Sequence, residues 1–230
     1  METLETIIAK TISPEQPTRW PRSLSEADVI VEAQDLMRCM MAEEPRFEYT
    51  KGDTISKTLA SMIAWIWRDD RYNFMHLDYG KGLWLFGPLG TGKTTLLKGF
   101  RKYMARVADR YLVTRDDDYR LCAWYASASE ISNLYASKGQ PAILDWCSRE
   151  HNIIVDELGR EPMPANNFGT KMNVMQHIMQ MRYDNRRSCV THVTTNMAPT
   201  DVAKYYGSYV ADRCVEMFNF INLNGTSLRQ

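Results

Sequence analysis

The stretch that decides the fold is Gly82 to Thr95, GLWLFGPLGTGKTT. Leu83-Trp84-Leu85-Phe86 reads as a buried apolar strand. Gly87, Pro88, Leu89, Gly90, Thr91, Gly92, Lys93, Thr94 and Thr95 follow, and a helical pattern opens at Leu96-Leu97-Lys98. This is the full spacing of a phosphate-binding loop in its required context of strand, loop and helix. Glycines let the backbone wrap so that successive amide hydrogens point inward, and the next helix presents its positive end to the same spot. Lys93 is expected to reach the terminal phosphates of a nucleotide, and the Thr94 hydroxyl to hold a Mg2+ ion that bridges them. A glycine-rich turn with a chance lysine would lack the flanking strand and helix.

The second half of a nucleotide site is expected at His151 to Val155, an apolar strand that runs into Asp156-Glu157. The first carboxylate is placed to hold Mg2+ and the second to polarise an attacking water, which points to hydrolysis rather than binding alone. Farther on, Cys189 to Thr194 reads as a strand ending on Thr195-Asn196. Asn196 would orient water against the terminal phosphate, or serve as a turn or cap residue before Pro199.

Around these motifs the chain reads as alternating helices and strands. Residues 1 to 22, with Pro14, Pro17 and Pro21, read as a loosely ordered arm. Ser25-Glu26-Ala27-Asp28 resembles a capped helix start, and apolar residues recur at helical spacing to Met41. That helix either packs on its own domain or offers a methionine-rich face to a partner, with the first reading preferred. Further helices are expected over Thr54 to Arg68, Thr95 to Ala108, from the cap at Ser127 to Ser137, Ala142 to Cys147, Thr170 to Asp184 and Tyr205 to Phe218. Strands are expected at Leu121 to Tyr125 and Met217 to Leu223, and Gly159 to Gly169 reads as a loop. Two segments are implied: an arm and helix over 1–46, a possible partner-docking piece, and an ATPase domain over 47–230.

Two hundred and thirty residues suffice for one α/β domain plus a short appendage. Lys plus Arg and Asp plus Glu number 28 each, so no global field draws the chain to nucleic acid, and any DNA contact must be local or built by assembly. The five cysteines form no CxxC pair and read as reduced thiols. No apolar run is long enough for a bilayer and Met1 to Lys10 is acidic where a signal peptide is basic, so a cytoplasmic protein without a membrane role is expected.

GPLGTGKTT, IIVDELGRE, MRYDNRRSCVTHVTTN and YGSYVADRCVEMFNFINLNGTSLR together resemble the AAA+ ATPases of the DnaC and IstB group, in order over roughly residues 47 to 230. The resemblance implies a three-layer α/β P-loop NTPase of AAA+ type. Its five-stranded parallel sheet would place the phosphate-loop strand between the fourth and fifth strands. The order of elements in the chain itself adds the expectation of a short helical N-terminal appendage and no C-terminal helical lid. The resemblance assigns Lys93 and Thr94 to Walker A, Asp156 and Glu157 to Walker B, Asn196 to sensor 1 and Arg213 to the arginine finger, a guanidinium acting on the neighbouring subunit's nucleotide. For Arg213 a plain surface-helix role is the competing reading. Arg229 is similar to a terminal arginine that senses nucleotide. The acidic pair is Asp-Glu where many members carry two aspartates, and the region before residue 47 is short for a helicase-docking domain.

The resemblance implies an ATP- and Mg2+-dependent accessory ATPase of DNA replication, a helicase loader that assembles head to tail as a homo-oligomer and grips DNA, preferably single-stranded. Arg182, Arg186 and Arg187, or Lys98, Arg101 and Lys102, are candidates to line such an assembly. The alternative is a transposition helper that binds duplex DNA and a transposase instead of a replicative helicase. A kinase would need an acceptor pocket and a basic lid, a GTPase an NKxD-type segment after the fourth strand; neither appears. In a nucleotide-gated adaptor, ATP binding alone would order a partner surface.

Overall fold

The computed structural model describes residues 24–45, 53–114 and 116–224. The expected proline-rich arm and Arg229 lie outside them. The sheet has five parallel strands: β1 (Gly82–Phe86), β2 (Ala123–Ser127), β3 (Asn152–Leu158), β6 (Thr191–Thr195) and β7 (Phe218–Asn222), in the order β2-β3-β6-β1-β7. The phosphate-loop strand therefore lies between the fourth and fifth sheet strands of the sequence, as expected.

Alternation along the strands divides the core into two layers of helices, one on each face. Leu83, Leu85, Ile154 and Ile221 point to a cluster with α1 (Glu26–Glu43), α2 (Asp53–Trp67) and α3 (Lys93–Tyr111). Trp84, Ile153, Val155 and Val193 point to the opposite cluster, with α4 (Ala128–Lys138), α5 (Leu144–Cys147), α6 (Val174–Asp184), α7 (Val202–Tyr206) and α8 (Ser208–Met217). Four of the five cysteines are buried, all are free thiols, and Cys122 alone is exposed. No described helix is long and apolar enough to cross a membrane.

Helix α1 begins with a capping box, Ser25 and Asp28 exchanging hydrogen bonds. It packs on its own domain, as the preferred reading had it: Leu36, Cys39 and Met40 join the core. A Cβ at Gly99 of α3 would come 2.5 Å from Met40 Cγ and 2.8 Å from its Cα, so only glycine permits this approach of the two helices. Buried Glu32 and Asp35 accept from Arg110 at 2.8 and 2.5 Å, with Arg106 donating to Asp35 at 2.7 Å and Tyr103 Oη to Glu32 at 2.9 Å. Burial and the adjacent Glu32 carboxylate push the Tyr103 phenol well above its ordinary range.

Two stretches depart from the sequence reading. The expected loop and helix start over 159–173 contain an antiparallel hairpin, β4 (Ala165–Asn167) and β5 (Thr170–Met172), turning at Phe168 (φ 44°) and Gly169 (φ 92°). Asn173 then caps α6 by accepting from Gln176 N, so the helix starts four residues later than periodicity suggested. The expected single helix from Tyr205 is broken at Gly207 into α7 and α8.

His192, on β6, is fully buried edge-on against the Trp65 and Phe100 rings, its Nδ1 accepting from Leu83 N at 3.1 Å. Burial, then the Arg182 and Arg120 cations, push its pKa down to about 3. The unfolded chain binds a proton here as pH falls through about 6.5, whereas the folded chain stays neutral until about 3; stability is therefore present above 6.5 and lost through that window. Between pH 7 and 5, wild type is expected to lose roughly 2 kcal/mol more than His192→Gln in urea unfolding. Parallel losses in the two proteins would refute this assignment.

Candidate active site

The phosphate loop leaves β1 at Phe86 and enters α3 at Lys93. Gly87 has φ 142°, and a Cβ there would meet the Leu223 carbonyl oxygen at 2.6 Å, because Leu223 N donates to Phe86 O beside it. The loop is thus pinned against the chain leaving β7. Gly92 adopts a left-handed conformation as N-cap of α3 and supplies no side-chain cap, so the first amides of this long helix face the loop without a competing acceptor from that residue. The buried Lys93 ammonium donates to Gly87 O (2.9 Å) and Pro88 O (2.6 Å), inside the ring of backbone that the loop forms. Thr91 closes the same ring, its hydroxyl donating to Pro88 O at 3.0 Å.

The acids arrive from β3. Its register against β6 breaks between Val155 and Leu158, and Glu157 sits at φ 55°, a left-handed conformation disfavoured for any residue with a Cβ. Asp156, buried, accepts from the Thr94 hydroxyl at 2.9 Å, from Tyr125 Oη at 2.6 Å and from the Thr194 hydroxyl. Thr194 Oγ1 also accepts from Glu157 N at 2.9 Å, so one buried threonine on β6 fixes both acidic residues. Glu157 is half-exposed, its carboxylate accepting from Arg160 Nη1 at 2.7 Å.

Oxygens of Thr94 and Asp156 are hard ligands. Neighbouring oxygens on an octahedral Mg2+ with bonds of about 2.0–2.1 Å lie about 2.9 Å apart, the Thr94–Asp156 separation here, so the pair fits that ion. No group of three or more His, Cys, Asp and Glu residues that could hold a metal occurs among the described residues.

Tyr125, Thr194 and Arg160 were not singled out from sequence. Tyr125 lies two residues before Ser127, which pairs with Asp156 across the parallel ladder. Burial first, and then its bond to Asp156, raise its phenol far above the ordinary range, so it acts there only as a donor. A tyrosine on the strand beside the acidic one was the available signal.

Neither Asn196 nor Arg213 forms a hydrogen bond with this cluster among the described residues. Asn196, just past β6, is exposed and makes no hydrogen bond among the described residues; the turn is organised by Thr195, whose Oγ1 donates to Leu158 O (2.7 Å) and accepts from Met197 N (3.0 Å). Arg213 lies on α8, its guanidinium carbon 3.5 Å from the centre of the Tyr209 ring and 4.2 Å from that of Tyr183. Of the suggested DNA-lining groups, Arg182 is excluded, being 1% exposed and bound to backbone carbonyls. Arg186 pairs with Glu216, Lys102 with Glu43, and Arg101 donates to Ala123 O.

No protein-family model and no curated protein matches the sequence significantly. Among solved structures, the chain is similar to the DnaC helicase loader (19% identity, TM-score 0.52, covering 77% of this chain and 94% of that one). It is also similar to DnaI (18%, 0.50, 81% and 93%). A third is a protein of Streptococcus pyogenes serotype M3 described provisionally as a primosome component (15%, 0.54, 77% and 83%). At these identities the likeness establishes the fold alone, a three-layer α/β architecture with a phosphate loop after its first strand.

Proposed function

We propose that the chain is an ATP-hydrolysing accessory factor of DNA replication, resembling helicase loaders, that works in a head-to-tail assembly on DNA. The single observation that carries the ATPase reading is the junction of Thr94 and Asp156 at 2.9 Å beside a phosphate loop ending on an uncapped helix N-terminus. The fold shared with a helicase loader supports the replication role.

In this reading residues 87 to 95 and Lys93 bind the terminal phosphates of ATP, and Thr94 with Asp156 holds Mg2+, which neutralises phosphate charge. Glu157 accepts a proton from the attacking water as its oxygen bonds to the terminal phosphorus and the bond from that phosphorus to the bridging oxygen breaks, leaving ADP and phosphate. Arg160 is then an exchangeable partner of the Glu157 carboxylate, since so exposed a pair contributes little. Tyr125 and Thr194 orient Asp156. Asn196 is assigned to the attacking water, Arg213 to the nucleotide of a neighbouring subunit and Arg229 to nucleotide sensing. Single-stranded DNA and a replicative helicase are the proposed partners.

ATP hydrolysis by wild type and Arg213→Ala, alone and with single-stranded or duplex DNA, tests this reading. Stimulation by single strands, abolished in the variant, is expected. Stimulation by duplex alone would move the assignment to a transposition helper, and activity indifferent to DNA and to Arg213→Ala would remove the assembly.

A further inference from the structure

Arg213 is held in an unusual way. Its guanidinium carbon lies close over two aromatic rings, Tyr209 from one turn earlier on α8 and Tyr183 from α6. Among the described residues it makes no ion pair and no hydrogen bond. Glu216, three residues on along the same helix, is engaged elsewhere: it accepts from Tyr183 Oη at 3.0 Å and from Arg186 Nη2 at 2.8 Å. The Arg186 guanidinium carbon in turn lies 4.0 Å from the centre of the Tyr183 ring. Tyr183 is therefore fixed through both its hydroxyl and its ring.

Stacking engages the faces of a guanidinium and leaves its in-plane N–H groups for another acceptor, whereas a carboxylate partner would occupy that fork and cancel its charge. Two rings also restrict a side chain that otherwise carries much rotamer freedom. The half-exposed Tyr209 shows that the arrangement faces outward. A guanidinium over two rings and without a carboxylate partner among the described residues keeps its charge and its N–H edge for an anion from outside the subunit.

We propose that Tyr183 and Tyr209 are positioning residues that hold Arg213 edge-on, un-neutralised, for the terminal phosphate of a nucleotide bound to a second copy of this chain. The inference rests on the trans role of Arg213. Its energetic element is the lost stacking and preorganisation, worth roughly three- to tenfold in rate per ring.

Steady-state ATPase in the assembled state tests it. Tyr209→Leu is expected to lower kcat by roughly three- to tenfold with the KM for ATP unchanged, while Tyr209→Phe, which keeps the ring, stays within about twofold of wild type. Tyr183→Leu and Tyr183→Phe should divide in the same direction. Mixed assemblies separate positioning from general damage. Lys93→Ala subunits, which keep Arg213, are mixed with Arg213→Ala subunits, which keep the phosphate loop, to restore activity. Adding Tyr209→Leu to the Lys93→Ala subunit should then lower the restored rate, and adding it to the Arg213→Ala subunit should not. An equal fall from either subunit, or none from either, overturns the proposal. If Arg213→Ala alone leaves the ATPase at the wild-type rate, the trans role falls and this inference falls with it.

Discussion

Glu157→Gln is expected to lower ATP hydrolysis by about 10²–10⁴-fold, the range for removing a positioned general base, while nucleotide affinity changes by less than about threefold. The variant keeps the shape of the side chain and the left-handed turn at residue 157, and the backbone bond from Glu157 N to Thr194 Oγ1 does not involve the carboxylate. Phosphate contacts come from a different element, the loop after β1. Binding and chemistry should therefore separate, in a way that Lys93 substitutions would not show. The measurement is single-turnover hydrolysis together with binding of a fluorescent ATP analogue. A residual rate within about tenfold of wild type would remove Glu157 as the base. Unchanged biological function in the hydrolysis-dead variant would favour a nucleotide-gated adaptor over a cycling ATPase.

The contrast between what was and was not legible in the sequence has a physical basis. Phosphate loop and five sheet strands follow from local signals: glycines at fixed spacing, apolar runs of strand length, capping boxes at Ser25 and Ser127; the place of the phosphate-loop strand in the sheet came only from the family resemblance. The hairpin over 165–172 was missed because its strands are three residues each and its turn places Phe168, not asparagine or glycine, at the first left-handed position. Tyr125 and Thr194 were missed because their importance lies in side-chain bonds across the sheet to Asp156, with sequence separations of 31 and 38. No periodicity encodes such a bond. Glu157 was identified by residue type, but the left-handed turn that aims it depends on the β3–β6 irregularity, which only tertiary pairing reveals.

Arg182 shows how a helical stripe can mislead about charge. At helical spacing with Met175, Ile178 and Met179, it reads equally as inward-facing or as a DNA contact. The structure places it inside, where its removal is expected to cost more than that of any surface arginine. Its Nε donates to Thr191 Oγ1 at 2.6 Å, Nη1 to Ser148 O at 2.7 Å, and Nη2 to Val190 O at 2.8 Å and His151 O at 3.0 Å. These acceptors belong to the segments that enter β3 and β6, so one side chain ties α6 to the starts of two central strands. Arg182→Met keeps an apolar stem but leaves several buried acceptors without a donor, at about 1–3 kcal/mol each, partly offset by removal of a buried charge. A net loss of about 4 kcal/mol or more is expected in urea unfolding, enough to threaten folding of a marginally stable domain. Arg182→Lys should recover only part of it, since one ammonium cannot span acceptors arranged around a planar fork. A loss below about 1 kcal/mol for Arg182→Met would show that the carbonyls find other donors, and would leave the junction between the helix and the two strands to apolar packing alone.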